Sequence, residues 1–251
     1  MVIKIGGSVI NDQDTTLEDL VHLQNIGFVP VIVHGGGPLI SEWMEKQGEV
    51  AEFVNGLRVT NSQSMDIVAA TLGGLINKNL VASIQHLGGK AMGLSGVDGG
   101  MLQAELLDQD LGLVGRVIKV NTDPITTAIY GGYIPVIAPI SVHIEDSSEE
   151  SGVLLNVNGD TAAGEIAREL EAGSIVFLTD VPGIIDENGS LIGRLHPDNV
   201  EHLIKSGTVT GGMIPKVQAC LRALETVTTA QILDGRNSGV LLRFGEGTPS
   251  G

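Results

Sequence analysis

The chain has 251 residues, 42% of them hydrophobic, which is enough for one large α/β domain or two lobes with a full core. Its formal net charge of −16 disfavours binding to nucleic-acid backbones and anionic lipid. We expect a cytoplasmic protein. No apolar stretch reaches the ~18 residues of a membrane helix, the first predicted strand leaves no room for a signal peptide, and the single Cys220 excludes an intrachain disulfide.

Short runs rich in valine and isoleucine alternate with segments of helical periodicity along the whole chain. The predicted strands are 2–5, 29–33, 91–95, 134–138, 174–179 and 230–233. The predicted helices are 15–25, 38–47, 62–87, 122–130, 160–170, 198–206 and 214–227. Continuous apolar strands between helices are typical of a parallel sheet that is covered on both faces. We therefore predict an α/β fold with two lobes, 1–172 and 173–251, on one continuous sheet.

The predicted helix 62–87 has two unusual features. Residues 60–63 (TNSQ) match a capping box at its start. Its middle carries Gly73 and Gly74, which cost helix propensity. Either a close-packed neighbour, such as another subunit, explains these small residues, or the helix breaks at the glycine pair. Further along, we expect the acidic segment 145–152 to be an exposed loop.

Two predicted strands end at glycine-rich junctions within the first 40 residues. Lys4 precedes Gly6 and Gly7, and the second strand leads into residues 34–38 (HGGGP). Glycine lets a backbone approach an anion closely, and the N-terminus of the following helix offers free N–H groups. Ordinary βα turns also use glycine, so each junction alone is a weak signal. Together they favour an enzyme that handles a nucleotide or a phosphoryl group.

Arg58 lies in a glycine-marked segment just before the helix 62–87. A guanidinium can bind a carboxylate through two parallel hydrogen bonds, so Arg58 is a candidate clamp for an acidic acceptor. The alternative is an arginine in a surface salt bridge.

Asn156, Asn158 and Asp160 end one predicted strand and begin the next helix. Alternate strand residues share a face, so the two amides point to the same side. Amides can bind an amide or hydroxyl group of a substrate, and Asp160 can orient cations or Mg²⁺. Capping of the helix explains one of the three residues, but not all of them.

Two further junctions follow in the C-terminal part of the chain. Residues 208–216 form a glycine turn and a helix that carries Lys216 in its first turn, where the helix dipole disfavours a cation. Such a lysine indicates an anion in front of it, although it can instead extend into solvent. Asp180 follows a strand at the sheet edge where α/β ligands bind, or is a turn residue.

These motifs together resemble the amino acid kinase family, in order and spacing and over nearly the whole chain. The matching segments are 4–7 (KIGG), 34–37 (HGGG), 56–60 (GLRVT), 93–96 (GLSG), 156–160 (NVNGD), 179–183 (TDVPG) and 211–216 (GGMIPK). The resemblance implies an open αβα sandwich around a mainly parallel sheet. It also implies ATP-dependent phosphorylation of the side-chain carboxylate of N-acetyl-L-glutamate, in arginine biosynthesis, with Mg²⁺ carried by the nucleotide.

The resemblance also implies roles for individual residues. Lys4 and Lys216 stabilise the transferring phosphoryl group, and Asp160 orients both lysines. The N-terminal lobe holds the acceptor through Gly36, Gly37, Arg58 and Asn156, and also forms the dimer. The C-terminal lobe binds ATP. The residues that border the nucleotide are Gly6, Gly7, Thr179, Asp180, Val181, Pro182, Gly183, Ile184, Ile185, Thr208, Val209, Thr210, Gly211, Gly212 and Met213.

Three alternatives stay open at this point. The first is a kinase for an α-aminoadipate or glutamate side chain on a carrier protein, against which the segment 56–60 (GLRVT) argues. The second is a non-catalytic nucleotide-binding protein of the same fold, against which the combination of Lys4, Asp160 and Lys216 argues. The third is a Rossmann oxidoreductase, which lacks support because no Gly-x-Gly-x-x-Gly follows the first strand.

Regulation is a further expectation that rests on the resemblance. Arginine-inhibited members of the family carry an extra N-terminal helix that joins dimers into a hexameric ring. Only three residues precede Lys4 here, so we expect a homodimer, packed partly through the helix 62–87, with little inhibition by arginine. Residues 233–236 (LDGR) and 245–248 (GEGT) resemble part of the arginine site of those members, which argues in the other direction.

Overall fold

A computed structural model describes residues 1–7, 15–144 and 152–242 of the chain. The predicted acidic loop lies, apart from Gly152, outside these residues, and so does the segment 245–248. The strands are β1 (Val2–Ile5), β2 (Val31–His34), β3 (Phe53–Val54), β4 (Leu57–Arg58), β5 (Ala91–Ser95), β6 (Leu102–Leu106), β7 (Val114–Val120), β8 (Ile134–Ala138), β9 (Ile140–His143), β10 (Leu154–Val157), β11 (Ser174–Thr179) and β12 (Thr229–Asp234). The α-helices are α1 (Thr16–Asn25), α2 (Gly37–Lys46), α3 (Ser62–Ala69), α4 (Asn77–His86), α5 (Asp123–Tyr130), α6 (Gly159–Glu169), α7 (Val200–Lys205) and α8 (Met213–Ala223).

The main sheet has six parallel strands in the order β12-β11-β1-β2-β8-β5. These are the six strands predicted from the apolar runs. Alternate residues enter different layers: Val2 packs with α6 and α8, whereas Ile3 and Ile5 pack with α1 and α4. Helices therefore cover both faces, and the predicted αβα sandwich around a parallel sheet is confirmed.

A second set of strands was missed by the sequence analysis. β6, β7, β9 and β10 close into a small barrel, and only the end of β10 had been predicted. The barrel contributes Leu102, Ala104 and Leu155 to the same apolar cluster as α6 and α8. Two of its pairings, β7 with β10 and β6 with β9, join strands that are distant in sequence, so no local run of apolar residues indicates the barrel. β3 and β4 form a separate two-stranded hairpin before α3.

The predicted helix 62–87 is one continuous run, but its middle is not α-helical. Between α3 and α4 the backbone widens into a π-helix over Ala70–Ile76. A methyl group at Gly73 would lie 3.3 Å from Ile140 Cδ1, so a neighbour within the chain explains this small residue. The predicted capping box is wrong: Asn61, not Thr60, caps α3 by accepting a hydrogen bond from the Ser64 N–H.

The same helical run is long and apolar enough to cross a membrane by length and composition alone. It spans 25 residues, Ser62–His86, with a mean hydropathy of 1.4 over 18 residues, contrary to our expectation that no such stretch exists. Its α4 part packs on β5 and β8, and its α3 part packs on β10. Helices in the core of an α/β domain pass the same test, and within the described residues no other helix does.

Candidate active site

A cleft of about 660 Å³ opens at the carboxyl ends of β1, β2, β10 and β11. Ligands of open α/β sheets bind at this edge, because loops that follow neighbouring parallel strands meet there. Many of the predicted site residues line the cleft: Lys4, Gly6, Gly7, Gly36, Gly37, Arg58, Asn156, Thr179, Asp180, Val181, Thr210, Gly212, Met213 and Lys216. The fold therefore brings motifs from both ends of the chain into one site.

A charged centre lies beside the cleft and consists of Lys4, Asp160 and Lys216. Asp160 Oδ1 lies 2.8 Å from Lys4 Nζ, and Asp160 Oδ2 lies 2.9 Å from Lys216 Nζ. Lys4 and Asp160 are only 7% and 4% exposed. Each carboxylate oxygen contacts one ammonium group, which is the geometry expected of a residue that orients the two cations. Two cations share one anion, and the centre keeps a net positive charge.

The cap of α6 sets the position of Asp160. Asn158 Oδ1 accepts hydrogen bonds from the Asp160 N–H (2.9 Å) and the Thr161 N–H (3.1 Å). This is ordinary N-capping, which satisfies backbone donors that have no partner inside the helix. Asn158 is therefore the one residue of the three that capping explains. Its neighbours Asn156 and Asp160 make contacts of another kind.

Close packing of α6 on α8 sets the position of Lys216. A methyl group at Gly164 would lie 2.9 Å from the Ala219 carbonyl oxygen, so a larger residue would push the two helices apart. An ion pair between Glu165 Oε1 and Arg222 Nε, at 2.9 Å, joins the same two helices, one turn after Ala219 on α8. Asp160 and Lys216 meet because this spacing is short.

Electrostatics within the charged centre favours its ionised state. Burial raises the pKa of Asp160, but attraction by Lys4 and Lys216 outweighs burial and holds that pKa below its usual value. Burial also lowers the pKa of Lys4, and Asp160 acts against this effect. The carboxylate is therefore the group that favours a charged ammonium on a lysine that is almost fully buried.

An arginine cluster, made of Gly37, Ser41, Met44, Phe53 and Arg58, borders the same cleft. Arg58 Nη2 donates to the Gly37 carbonyl (2.9 Å) and to Ser41 Oγ (2.8 Å), and Nη1 contacts Met44 Sδ at 3.1 Å. The Phe53 ring lies over the Arg58 guanidinium, and the distance between the ring centroid and Arg58 Cζ is 4.7 Å. Arg58 has no acidic partner among the described residues, so its charge is available to an anion. This buried environment differs from the surface salt bridge that was the alternative.

Asn156 is linked to Arg58 through Thr60. Asn156 Nδ2 donates to Thr60 Oγ1 at 3.1 Å, and Thr60 Oγ1 donates to the Arg58 carbonyl at 3.0 Å. The amide of Asn156 therefore has a fixed position relative to the arginine cluster. The sequence analysis did not identify Thr60 as part of this arrangement, although its place next to Arg58 in the GLRVT segment was the available signal.

The two glycine junctions pack directly against each other. A methyl group at Gly7 would lie 3.2 Å from both the backbone nitrogen and the Cα of Gly36. A methyl group at Gly36 would overlap the side chains of Ile76 and Leu72. These close contacts favour glycine at both positions, and both residues line the cleft.

The predicted nucleotide segments divide into two groups. Thr179, Asp180 and Val181 line the cleft, and so do Thr210, Gly212 and Met213. The remaining predicted residues do not line it: Pro182, Gly183, Ile184, Ile185, Thr208, Val209 and Gly211. Ile184 and Val209 are buried in an apolar cluster with Val200 and Val217. Contact of this second group with a nucleotide stays a prediction.

Several cleft residues were not identified from the sequence. Phe53, Leu57 and Leu72 line the cleft, and their apolar side chains look like ordinary core or hairpin residues in the sequence. His34 had been noted only as part of a glycine motif, yet it is fully buried next to the cleft. Contacts between distant parts of the chain, rather than local sequence patterns, bring these residues to the cleft.

Comparison with known proteins agrees with the fold. Residues 1–234 match the amino acid kinase family, and the chain belongs to this family. A protein of Dehalococcoides mccartyi named acetylglutamate kinase is 44% identical over 243 residues, covering 97% of this chain and 89% of that protein. The crystal structure of smu.665 from Streptococcus mutans has a TM-score of 0.80 at 29% identity, covering 92% of this chain and 97% of that one. A carbamate kinase from Giardia shares the fold at a TM-score of 0.69, with 14% identity and coverage of 97% and 94%.

Proposed function

We propose that this chain catalyses ATP-dependent phosphorylation of the side-chain carboxylate of N-acetyl-L-glutamate, giving N-acetyl-L-glutamyl 5-phosphate in arginine biosynthesis. The observation that carries the proposal is the charged centre of two lysines held by one buried carboxylate, next to a cleft that also contains an unneutralised arginine. The relative from Dehalococcoides mccartyi, named acetylglutamate kinase, supports this acceptor.

The chemistry requires positive charge rather than a base. A glutamate side chain has a pKa of about 4.3, so the attacking carboxylate is already ionised at neutral pH. The obstacle is the approach of one anion to another, and fixed cations lower it by stabilising the charge of the transition state. In this role Lys4 and Lys216 bind oxygens of the transferring group, and Asp160 keeps both ammonium groups in place. The backbone N–H groups of Gly7, Gly36 and Gly37 add further donors, whereas those of Gly6 and Gly35 already donate to the Leu178 and Ile5 carbonyls.

The acceptor fits the arginine cluster. The α-carboxylate of N-acetyl-L-glutamate binds Arg58, whose present partners are a carbonyl, a hydroxyl and a sulfur, all weaker partners than a carboxylate. Asn156, fixed by Thr60, binds the N-acetyl group. Gly36 and Gly37 complete this side of the cleft.

ATP occupies the other side of the cleft, between the loops after β11 and before α8. Thr179, Asp180, Val181, Thr210, Gly212 and Met213 border it. The described residues contain no cluster of His, Cys, Asp or Glu suited to a metal ion, so the Mg²⁺ that neutralises phosphate charge would be held by the nucleotide. The N-terminal lobe, 1–172, thus holds the acceptor and the C-terminal lobe, 173–251, holds ATP.

The test is ADP release from Mg-ATP with competing acceptors. We expect turnover of N-acetyl-L-glutamate and little or none of glutamate, aspartate, UMP or carbamate. Glutamate is the informative control, because it keeps both carboxylates and lacks only the acetyl group. Turnover of a carrier-linked glutamate in preference to the free acetylated one would favour the alternative acceptor, and no turnover of any acceptor would overturn the proposal.

We also infer a homodimer, packed partly through the helical run Ser62–His86. Gly74 in its π-helical part is exposed and has open space beside it, where a partner helix can approach. Light scattering coupled to size exclusion should give twice the chain mass for the wild type and the chain mass for Gly74→Phe. An unchanged mass for the variant would place the interface elsewhere. Repeating the wild-type run with arginine, and assaying turnover with it, tests the expected weak inhibition.

A further inference from the structure

His34 is a fully buried polar residue to which the proposed mechanism gives no role. It ends β2, and its register partner on β1 is Ile5, whereas Lys4 pairs with Val33. Because alternate residues face opposite sides of a sheet, His34 lies on the α4 face and Lys4 on the α6 face. The ring therefore approaches the glycine junction from the side opposite to the charged centre.

Both ring nitrogens of His34 have hydrogen-bond partners. Nδ1 lies 3.1 Å from the carbonyl oxygen of Gly35, the next residue, and Nε2 lies 3.2 Å from Asn77 Nδ2 on α4. Asn77 Nδ2 is an amide donor, since it also donates to the carbonyls of Leu94 (3.1 Å) and Val136 (2.8 Å). An N–H cannot donate to another donor, so Nε2 carries the lone pair and Nδ1 carries the proton.

The surroundings keep the ring neutral. Burial is the main cause that lowers the pKa of His34 to about 4; the nearby cations Lys4 and Lys78 contribute in the same direction, and the hydrogen bond to Gly35 acts against them. In the neutral Nδ1–H form the ring donates to Gly35, and Nε2 accepts from Asn77 Nδ2, whose two hydrogens are shared among three acceptors. A protonated ring would lose the contact with Asn77 and would face two cations.

The contact with Gly35 has a consequence for the cleft. The Gly35 carbonyl and the Gly36 N–H belong to one planar trans peptide, in which they point in opposite directions. A hydrogen bond that holds the carbonyl towards His34 therefore turns the Gly36 N–H away from the ring. Gly36 lines the cleft, and within the described part of the chain its N–H donates no hydrogen bond.

We propose that His34 is a positioning residue, which acts through the Gly35 carbonyl to aim the Gly36 N–H at the anion in the cleft. Asn77 anchors the ring from α4, and its Oδ1 is in turn held by Lys78 Nζ at 3.0 Å. The proposal rests on the proposed function only for the identity of that anion. A ring that merely filled space would need neither Asn77 nor the Nδ1–H tautomer.

Two isosteric variants separate positioning from packing. In His34→Asn the side-chain amide N–H lies near the position of Nδ1 and can still donate to Gly35, whereas in His34→Gln the polar group lies near the position of Nε2 and cannot. We expect His34→Asn to keep most of the kcat and His34→Gln to lose about 10-fold to 100-fold, the effect of a slightly misplaced group. The KM values for both substrates should change little. Equal kcat loss in both variants would overturn the proposal.

A second measurement does not depend on turnover. Nitrogen chemical shifts of the His34 ring in the wild-type protein should report the Nδ1–H tautomer at neutral pH, and the Gly36 amide signal, which loses the ring-current effect of His34 in both variants, should move further in His34→Gln than in His34→Asn. The Nε2–H tautomer would overturn the proposal even if both variants were too unstable to assay. If the wild type turns over no acceptor but the tautomer and the Gly36 shifts are as expected, the proposed function fails and the positioning role stands.

Discussion

The charged centre and the arginine cluster lie in the same cleft but hold their cations in different ways. Lys4 and Lys216 share one buried carboxylate, whereas Arg58 is held by a carbonyl, a hydroxyl and a sulfur. The ion pairs with Asp160 fix the direction in which the two ammonium groups point, whereas the neutral partners of Arg58 leave its positive charge available to an anion. In a chain with a net charge of −16, both arrangements concentrate positive charge at the cleft.

The difference predicts which kinetic constant each region controls. A cation that stabilises charge present only in the transition state affects kcat, and a cation that binds an unreactive carboxylate affects KM. The charged centre should therefore determine kcat, and the arginine cluster should determine the KM of the acceptor. The following substitutions break or sharpen this comparison.

The largest effect is expected for the two lysines. Lys4→Ala and Lys216→Ala should each lower kcat by ~10²–10³-fold, the usual cost of one preorganised donor to a transition state. The KM of N-acetyl-L-glutamate should change little in steady-state assays. Lys205→Ala is the control, since this lysine is exposed and paired with Glu201 on α7. Near-normal kcat in either active-site variant would remove that lysine from the mechanism.

Asp160→Asn should lower kcat by nearly as much and also destabilise the fold. Without the carboxylate, nothing offsets the burial of Lys4, so its pKa falls further and its charge is lost more readily. Removing one partner of a buried ion pair costs about 3–5 kcal/mol, which denaturant unfolding measures. The matched control is Glu42→Gln, which breaks the exposed pair with Lys46 and should cost less than about 1 kcal/mol. Retained activity and stability would show that Asp160 serves only as a residue of the first turn of α6.

Arg58→Lys tests the other region. A lysine keeps the charge but cannot form the two parallel hydrogen bonds of a guanidinium. We expect the KM of N-acetyl-L-glutamate to rise by about 10-fold to 100-fold, the equivalent of one charge-assisted hydrogen bond, with a much smaller change in kcat. An acceptor in which the α-carboxylate is replaced by an amide should lose this sensitivity. Equal effects on both acceptors would assign Arg58 another role.

Gly164→Ala tests whether the distance between α6 and α8 affects the charged centre. The added methyl group meets the Ala219 carbonyl, pushes α8 from α6 and moves Lys216 away from Asp160. We expect a loss of about 1–3 kcal/mol in stability from overpacking and a decrease in kcat smaller than that of the lysine variants. Gly173→Ala is the control, because its added methyl group meets nothing. Normal kcat despite lower stability would show that Lys216 adjusts its own position.

Acid stability should show two separate windows. The pKa of His34 is about 4 in the folded protein, below the usual 6.5, so its neutral form favours folding above pH 6.5 and this contribution is lost as the pH falls towards 4. The loss amounts to about 3 kcal/mol. Asp160 affects stability at lower pH. Its pKa in the folded protein is depressed, so its contribution to the free energy of unfolding is lost only as the pH falls below about 3.8. His34→Asn should flatten the upper window in urea titrations and leave the lower one; an unchanged upper window would contradict the assignment to His34.

The sequence by itself determined the main sheet and which motifs meet at one edge of it. Six runs of Val and Ile predicted the six parallel strands, because a strand buried on both faces needs apolar residues at every position. Since parallel strands end at one edge, the glycine junctions after β1 and β2 and the start of α6 had to lie near each other. Lys4, Asp160 and Lys216 could be found because each lies in a motif with a chemical meaning of its own.

Only the tertiary structure decided what depends on pairs of distant residues. The small barrel, the neutral partners of Arg58 and the link from His34 to Asn77 all join segments whose local sequence is unremarkable. The burial of Ile184 and Val209 likewise separates them from the neighbours that line the cleft. Short-range patterns encode strands, helices and turns, but contacts across the fold determine which of their side chains meet.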